Sequence, residues 1–131
     1  MRFAAHSSEH GRLLPIDLSG LPMPALRIFT VNAGPSRIRG GHGPLRGSQL
    51  LILVEGMVRV ALRETEAGPV QCHHLTEPGA AVRLNAGEVA WQYYRDRSCL
   101  LVIADTPYDP QNYVEANTPL SPADREALTA P

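Results

Sequence analysis

Lysine is missing from this chain, and its twelve basic residues are all arginine. That absence removes two function classes. A Schiff-base mechanism needs a lysine amine, and a phosphate-binding P-loop needs its lysine. Cysteine is nearly as scarce. Cys72 and Cys99 stand without C-x-x-C spacing and lie in apolar runs that read as strands. They are expected as buried free thiols rather than a disulfide or a metal pair. No apolar run approaches the ~20 residues of a membrane span. The first residues, Met1 to His6, lack the apolar core of a secretory signal, so the cytoplasm is the expected compartment. An excess of charge of one sign is missing too. The net charge is −1, and no long-range field favours nucleic acid or anionic lipid as a partner.

What the chain does have is punctuation. Glycine and proline recur throughout its 131 residues, about one domain's worth, and long helical periodicity is absent. Short apolar or alternating runs lie between the turn signals. They predict strands at Arg12 to Leu18, Ala25 to Val31, Arg37 to His42, Gln49 to Glu55, Met57 to Leu62, Val70 to Leu75, Ala80 to Leu84, Val89 to Tyr94 and Cys99 to Ala104. Glu55-Gly56 reads as the tight turn of a hairpin joining the fourth and fifth of these. Many short strands at this spacing predict an all-β sandwich or barrel. Helical signals come only near the end. Asp109-Pro110 could start a short helix through Glu115. Ser121-Pro122-Ala123-Asp124 resembles a capping box for a terminal turn through Leu128. Residues 1–131 read as a single domain, with 117–131 a polar, proline-punctuated tail.

One stretch carries a spacing with a physical basis. Alternate strand residues share a face, so a His-x-His pair projects two imidazoles into one barrel mouth. Metal-dependent cupins carry such a pair, followed by a glutamate and then a glycine. Their second signature holds a further histidine and an asparagine. This sequence resembles that skeleton without its ligands. His42 stands at the first histidine and Pro44 at the second. Gln49 takes the glutamate position, and Gly56 follows at the right distance. Gly79 and Gly87 fit the second signature, but Ala90 replaces its histidine and Tyr94 its asparagine. No metal and no other cofactor is expected.

The same residues carry a closer resemblance. Arg39-Gly40-Gly41-His42-Gly43-Pro44 with Gln49-Leu50-Leu51-Ile52 is similar to the core motif of the WxcM-like nucleotide-sugar 3,4-ketoisomerases. So are Gly11-Arg12-Leu13 with Ile16-Asp17, Leu21-Pro22 through Arg27-Ile28-Phe29, and Leu75 with Pro78. So is the run from Leu100 through Thr106-Pro107-Tyr108-Asp109 to Tyr113. The ordered set spans about residue 10 to residue 116. It implies a cupin-type jelly-roll β-barrel with short C-terminal helical segments. It also implies a homodimer and a dTDP-linked 4-keto-6-deoxy sugar as ligand. The implied reaction moves the carbonyl from C4 to C3 without a metal. Such chemistry asks for a base, a group that stabilises an enediolate, and a proton donor. The resemblance fails where the family keeps its second histidine, because Pro44 cannot carry a proton. Phe29 and Thr30 stand for its paired tyrosines, and Val89-Ala90 for its Trp-His step.

The candidate residues follow. His42 is the candidate acid or base, and its other reading is a structural histidine bonded to backbone. Gln49 shares a face with Leu51 and Leu53 and could bond substrate or a buried backbone group. Arg39 could bind a pyrophosphate with its guanidinium fork, or be a solvated turn residue. Gln92 and Tyr94 should face the barrel interior, with Tyr94 assisting as donor. Trp91 and Tyr93 should face outward, for packing or for stacking on a base. His74 could substitute for the lost base if its face lines the cavity, and is otherwise an ordinary strand residue. Asp105 and Asp109 read as turn and cap residues. Two alternatives to the altered ketoisomerase stay open. One is a catalytically silent binding or regulatory cupin. The other is a cofactor-free isomerase, lyase or cyclase acting on a non-nucleotide substrate.

Overall fold

The computed structural model describes residues 1–64 and 68–131. Eleven strands are described: β1 (His6–Ser8), β2 (Gly11–Leu13), β3 (Arg27–Ala33), β4 (Arg37–Gly43), β5 (Gln49–Glu55), β6 (Val58–Glu64), β7 (Gln71–Leu75), β8 (Ala81–Leu84), β9 (Glu88–Tyr94), β10 (Ser98–Ala104) and β11 (Val114–Glu115). A 3-10 turn covers Leu18–Gly20, and one helix, α1, covers Pro122–Thr129. Two antiparallel sheets face each other in the jelly-roll arrangement of cupins. One has the order β3-β10-β5-β8 and the other β11-β4-β9-β6-β7, with β1-β2 as a separate hairpin. No helix among the described residues is long and apolar enough to cross a membrane.

The burial pattern explains the unbroken apolar runs. Along β5, Leu51 and Leu53 point into the inter-sheet core with Val58, Val60 and Tyr94. Leu50 and Ile52 point the other way, under Met23, Leu14, Ile16 and Phe3 of the N-terminal segment. A strand covered on both faces has no polar face to alternate with. The same holds across β9. Ala90 and Tyr94 face the inner core, while Val89 and Trp91 face a third cluster closed by Leu128.

Several expectations are corrected here. β5 and β6 do not form a hairpin; they lie in opposite sheets. Gly56, at φ +86°, turns the corner between them, where a Cβ would strike the Ser98 hydroxyl. β5 is apolar on both faces, and β6 sends Val58, Val60 and Leu62 into the inter-sheet core while Arg59 and Arg63 face the C-terminal segment, so each lies as an interior strand of its own sheet. The strand expected over Arg12 to Leu18 contracts to β2, because Asp17 caps the 3-10 turn by accepting from Ser19 N–H at 3.0 Å. The helix expected from Asp109 to Glu115 is a single turn. Asn112 N–H reaches the Asp109 carbonyl at 3.0 Å, and Val114 and Glu115 then pair with Gly43 and His42. Cys72 is exposed and Cys99 half-buried, both as free thiols. Cys72 sits on β7, which among the described strands pairs with β6 alone, at the sheet edge.

The terminal residues form more than a polar tail. Ser121 caps α1 by accepting from Asp124 N–H at 3.0 Å, and Leu128 is buried against β6 and β9. Arg59 donates to the carbonyls of Leu128, at 3.0 Å, and Ala130, and Arg63 donates to that of Thr118. Arg63 also lies over the Trp91 ring, 4.9 Å from its centroid.

Candidate active site

A cavity of about 400 Å³ lies between the two sheets, within the ~300–1,000 Å³ typical of small-molecule sites. Its walls are the inward residues of β3, β4, β5, β9 and β10, and Tyr108 to Tyr113 close one side. Period-two alternation does the placing. Gln49 and Leu51 enter from β5, Gln92 and Tyr94 from β9, and Leu100 and Val102 from β10. The interior is therefore aliphatic, with a few polar groups set into it.

β4 is irregular where it meets the cavity. Gly40 pairs with Trp91 and His42 with Ala90, so Gly41 is the extra residue of a bulge. The bulge resets the alternation and brings both Arg39 and His42 to the cavity. The backbones of β4 and β9 approach so closely here that a Cβ on Gly43 would collide with the Glu88 carbonyl oxygen. The glycines around His42 thus serve a close strand approach.

His42 is flanked on its other side by β11, opposite Glu115. Its ring stacks on Tyr113, with centroids 4.8 Å apart and planes at 27°. The residue is exposed overall, and the partial withdrawal of its ring from water pushes its pKa below the ordinary value of 6.5; Glu115 opposes that shift and Arg39 adds to it. The imidazole is therefore held toward its neutral, proton-accepting form. Tyr94 is the reverse case. Its side chain is fully buried, its hydroxyl has no hydrogen-bond partner among the described residues, and burial pushes its pKa up to about 12. It is a proton donor at any working pH, with the donor unspent. Arg39 pairs across the strands with Gln92, which groups both near Tyr94.

Five of the six residues singled out in the sequence, His42, Gln49, Arg39, Gln92 and Tyr94, line this one cavity. His74 does not, and that expectation is corrected. β7 is separated from β4 by β6 and β9, and His74 is exposed in a separate crevice with Arg59 and Arg95. Trp91 faces outward onto the third core cluster. Pro44 is buried and carries no titratable group; its carbonyl accepts from Gly87 N–H at 3.0 Å. Among the described residues no three His, Cys, Asp or Glu side chains are arranged to hold a metal ion.

Arg27, Tyr108 and Tyr113 are among the lining residues not singled out from sequence as site residues. The Arg27 guanidinium lies 4.9 Å from the Phe29 ring centroid and 5.4 Å from that of Tyr108. Its Nε is buried without a partner among the described residues. The alternation of Arg27 and Phe29 on β3 was a usable signal. Tyr108 and Tyr113 reach the cavity only through the fold of their loop. That loop is pinned by Asn112, whose side chain accepts from Arg46 N–H at 2.7 Å and donates to the Arg46 carbonyl at 3.0 Å.

The family model described as WxcM-like, C-terminal (FdtA) matches residues 1–120. No curated protein matches the chain significantly. Among solved structures, the chain is similar to a sugar 3,4-ketoisomerase from Thermoanaerobacterium thermosaccharolyticum in complex with TDP. The identity is 22 % and the TM-score 0.75, over 86 % of this chain and 83 % of that one. It is also similar to a TDP-fucose 3,4-ketoisomerase from Campylobacter jejuni, with 20 % identity and TM-score 0.71 over 87 % and 85 %. A 3'-monoepimerase from Streptomyces bikiniensis in complex with dTDP-quinovose matches with 17 % identity and TM-score 0.74 over 96 % and 70 %. At these identities the likeness establishes the fold.

Proposed function

The chain belongs to the WxcM-like, C-terminal family, and from that membership we propose that its cavity takes a nucleotide-linked 4-keto-6-deoxy sugar and moves the carbonyl from C4 to C3. The observation that carries the reading is the convergence of His42, Gln49, Arg39, Gln92 and Tyr94 on one cavity. The ligands of the matched structures, TDP and dTDP-quinovose, support the choice of substrate class.

The chemistry asks little of the chain beyond these groups. Neutral His42 takes the C3 proton, and the electron pair moves toward the C4 oxygen as an enediolate forms. Tyr94, a buried donor without a partner among the described residues, stabilises that oxygen. The proton on His42 then goes to C4 while the 3-oxygen, losing its own proton, becomes the new carbonyl. The 4-oxygen gains a proton, so the isomerisation balances without any redox partner. Gln49 and Gln92 orient the sugar hydroxyls, and Arg39 meets negative charge at the mouth. One imidazole serving both carbons distinguishes this arrangement from a paired-histidine site.

The test is calorimetric titration with dTDP, followed by a turnover assay with a dTDP-linked 4-keto-6-deoxyhexose. Saturable binding, and turnover lost in His42→Ala, are expected. Turnover unchanged in His42→Ala would sink the catalytic assignment. Pro44, buried where a second histidine would stand, favours one other reading: a cupin that binds the ligand and leaves it unchanged. Binding without turnover would select it.

Homodimerisation is part of the same proposal. β3 is an edge strand among the described strands, and Leu26 just before it and Ile28 on its outward face are 63 % and 52 % exposed. Apolar side chains beside an unpaired edge suit a second copy of the chain. Sedimentation at micromolar concentration reads this directly, and a monomer there would refute it.

A further inference from the structure

We propose that Trp91 is a positioning residue: from outside the cavity, its indole seats the Gly41 bulge that turns His42 inward. The kinetic part of the test rests on the ketoisomerase reading above; the structural part does not. The inference begins from a stretch of backbone that cannot hold itself. Gly40, Gly41 and Gly43 surround His42 and bring no side chain of their own to pack. Gly41, the extra residue of the bulge, has φ +88°, in a region that glycine enters and leaves freely. A bulge re-aims the side chain beside it. Whatever fixes this bulge therefore fixes the direction of the imidazole.

The constraint comes from the outer face. A Cβ on Gly41 would stand 3.0 Å from the Trp91 Nε1 and 3.6 Å from its Cε2, so the edge of the indole lies against the bare Cα. Trp91 is buried in the third core cluster and is not among the residues that line the cavity. Its direct cross-strand neighbours are Gly40 on β4 and Ala61 on β6, which leave the large ring its space.

The ring is itself held in place. The Arg63 guanidinium, 4.9 Å from its centroid, donates to the Thr118 carbonyl, and Leu128 closes the cluster. Beside the indole, the Gly41 carbonyl accepts from Ala116 N–H at 2.8 Å, and Val114 and Glu115 pair with Gly43 and His42. The bulge is thus supported from behind by Trp91 and alongside by β11. At the front, the His42 ring stacks on Tyr113, with Glu115 and Arg39 as its charged neighbours. Close-packed interiors pass strain on rather than absorb it. With the indole gone, Gly41 relaxes outward and the imidazole leaves the Tyr113 ring.

The experiment compares wild type with Trp91→Leu, Trp91→Phe and Met23→Ala. Leucine keeps apolar contact in the cluster but does not reach Gly41, whereas phenylalanine keeps a ring edge there. Met23→Ala removes buried volume on the far side of the other sheet and controls for general loosening. Proton NMR reads the His42 ring, identified among the five histidines by its absence in His42→Ala. In wild type the Tyr113 ring current displaces this resonance. In Trp91→Leu we expect that displacement lost and the titration midpoint moved up toward 6.5. We also expect kcat to fall roughly tenfold or more, with dTDP affinity by calorimetry within about threefold of wild type. Trp91→Phe should restore most of both signals. A folded Trp91→Leu with the wild-type His42 resonance and midpoint overturns the proposal. So does an equal displacement in Met23→Ala, which would make Trp91 an ordinary core residue. If Trp91→Leu does not fold, Arg63→Met removes the cation over the ring and the bond to Thr118. It should move the His42 resonance the same way by less, and an unmoved resonance there overturns the proposal. The two readings fail separately. A wild type without turnover removes the isomerase, and the spectra still decide the role of Trp91. Turnover with a His42 resonance indifferent to Trp91 keeps the isomerase and removes the positioning role.

Discussion

Replacing Leu128 by alanine tests whether the C-terminal segment belongs to the fold. Leu128 is 1 % exposed and packs with Ala61, Val89 and Trp91. Leu→Ala at a buried site costs about 2–5 kcal/mol, the transfer term plus the cavity left behind. A terminal helix can partly collapse into the space, so the low end, about 2–3 kcal/mol, is expected. An unfolding entropy of about 2.1 cal/mol/K per residue gives roughly 0.28 kcal/mol/K for 131 residues. A loss of 2.5 kcal/mol then lowers Tm by about 9 °C. Urea and thermal unfolding followed by circular dichroism would measure both quantities. The same loss should appear on deleting residues 121–131, because that removes Leu128 together with the carbonyls that bond Arg59. A shift in Tm below about 2 °C for Leu128→Ala would refute the packing argument and return these residues to the status of a tail.

Three other predictions follow from the site and the core. Because partial withdrawal from water holds the His42 pKa below 6.5, the acid limb of kcat/KM should fall below that value. It should move lower still in Glu115→Gln and higher in Arg39→Met. The sign for stability is parallel: a histidine with a depressed folded pKa favours the fold above pH 6.5, and that contribution is lost as pH falls through the folded value. An acid limb above 6.5 would contradict the assignment of His42 as base. Ser98 is buried, accepts from Met57 N–H at 3.0 Å and donates toward the Asp96 carbonyl at 2.9 Å. Ser98→Ala should therefore cost about 1–3 kcal/mol in urea unfolding, and a cost below 0.5 kcal/mol, roughly the scatter of surface changes, would count against it. Gly43→Ala should lower stability by more than about 1 kcal/mol, since its methyl can fit only if β4 and β9 move apart. A folded variant with unchanged turnover and unchanged Tm would refute that close approach.

Much of this protein is legible in one dimension because strand geometry is local. The strand Gln49–Glu55 has the bounds read from the sequence, and β9 and β10 begin one residue earlier than expected. The alternation that turns Gln92 and Tyr94 inward and Trp91 outward follows from the two-residue period alone. The Ser121 cap follows from side-chain chemistry within one turn. His42, Gln49 and Arg39 stood out because they stand at motif positions of the family that the sequence resembles.

What only the tertiary structure decided are matters of partner choice. Glu55-Gly56 fits a hairpin and an inter-sheet corner equally well, and burial of both faces of β5 selected the corner. His74 alternates like any strand residue, and only the sheet order put two strands, β9 and β6, between it and β4. Cys72 lies in a strand, and its exposure follows from that strand's place at an edge. The approach of Arg27 to Tyr108, the stacking of Tyr113 on His42 and the docking of Leu128 each join residues distant in sequence. Their energies depend on burial and counter-charge, which exist only once the sheets have closed on each other.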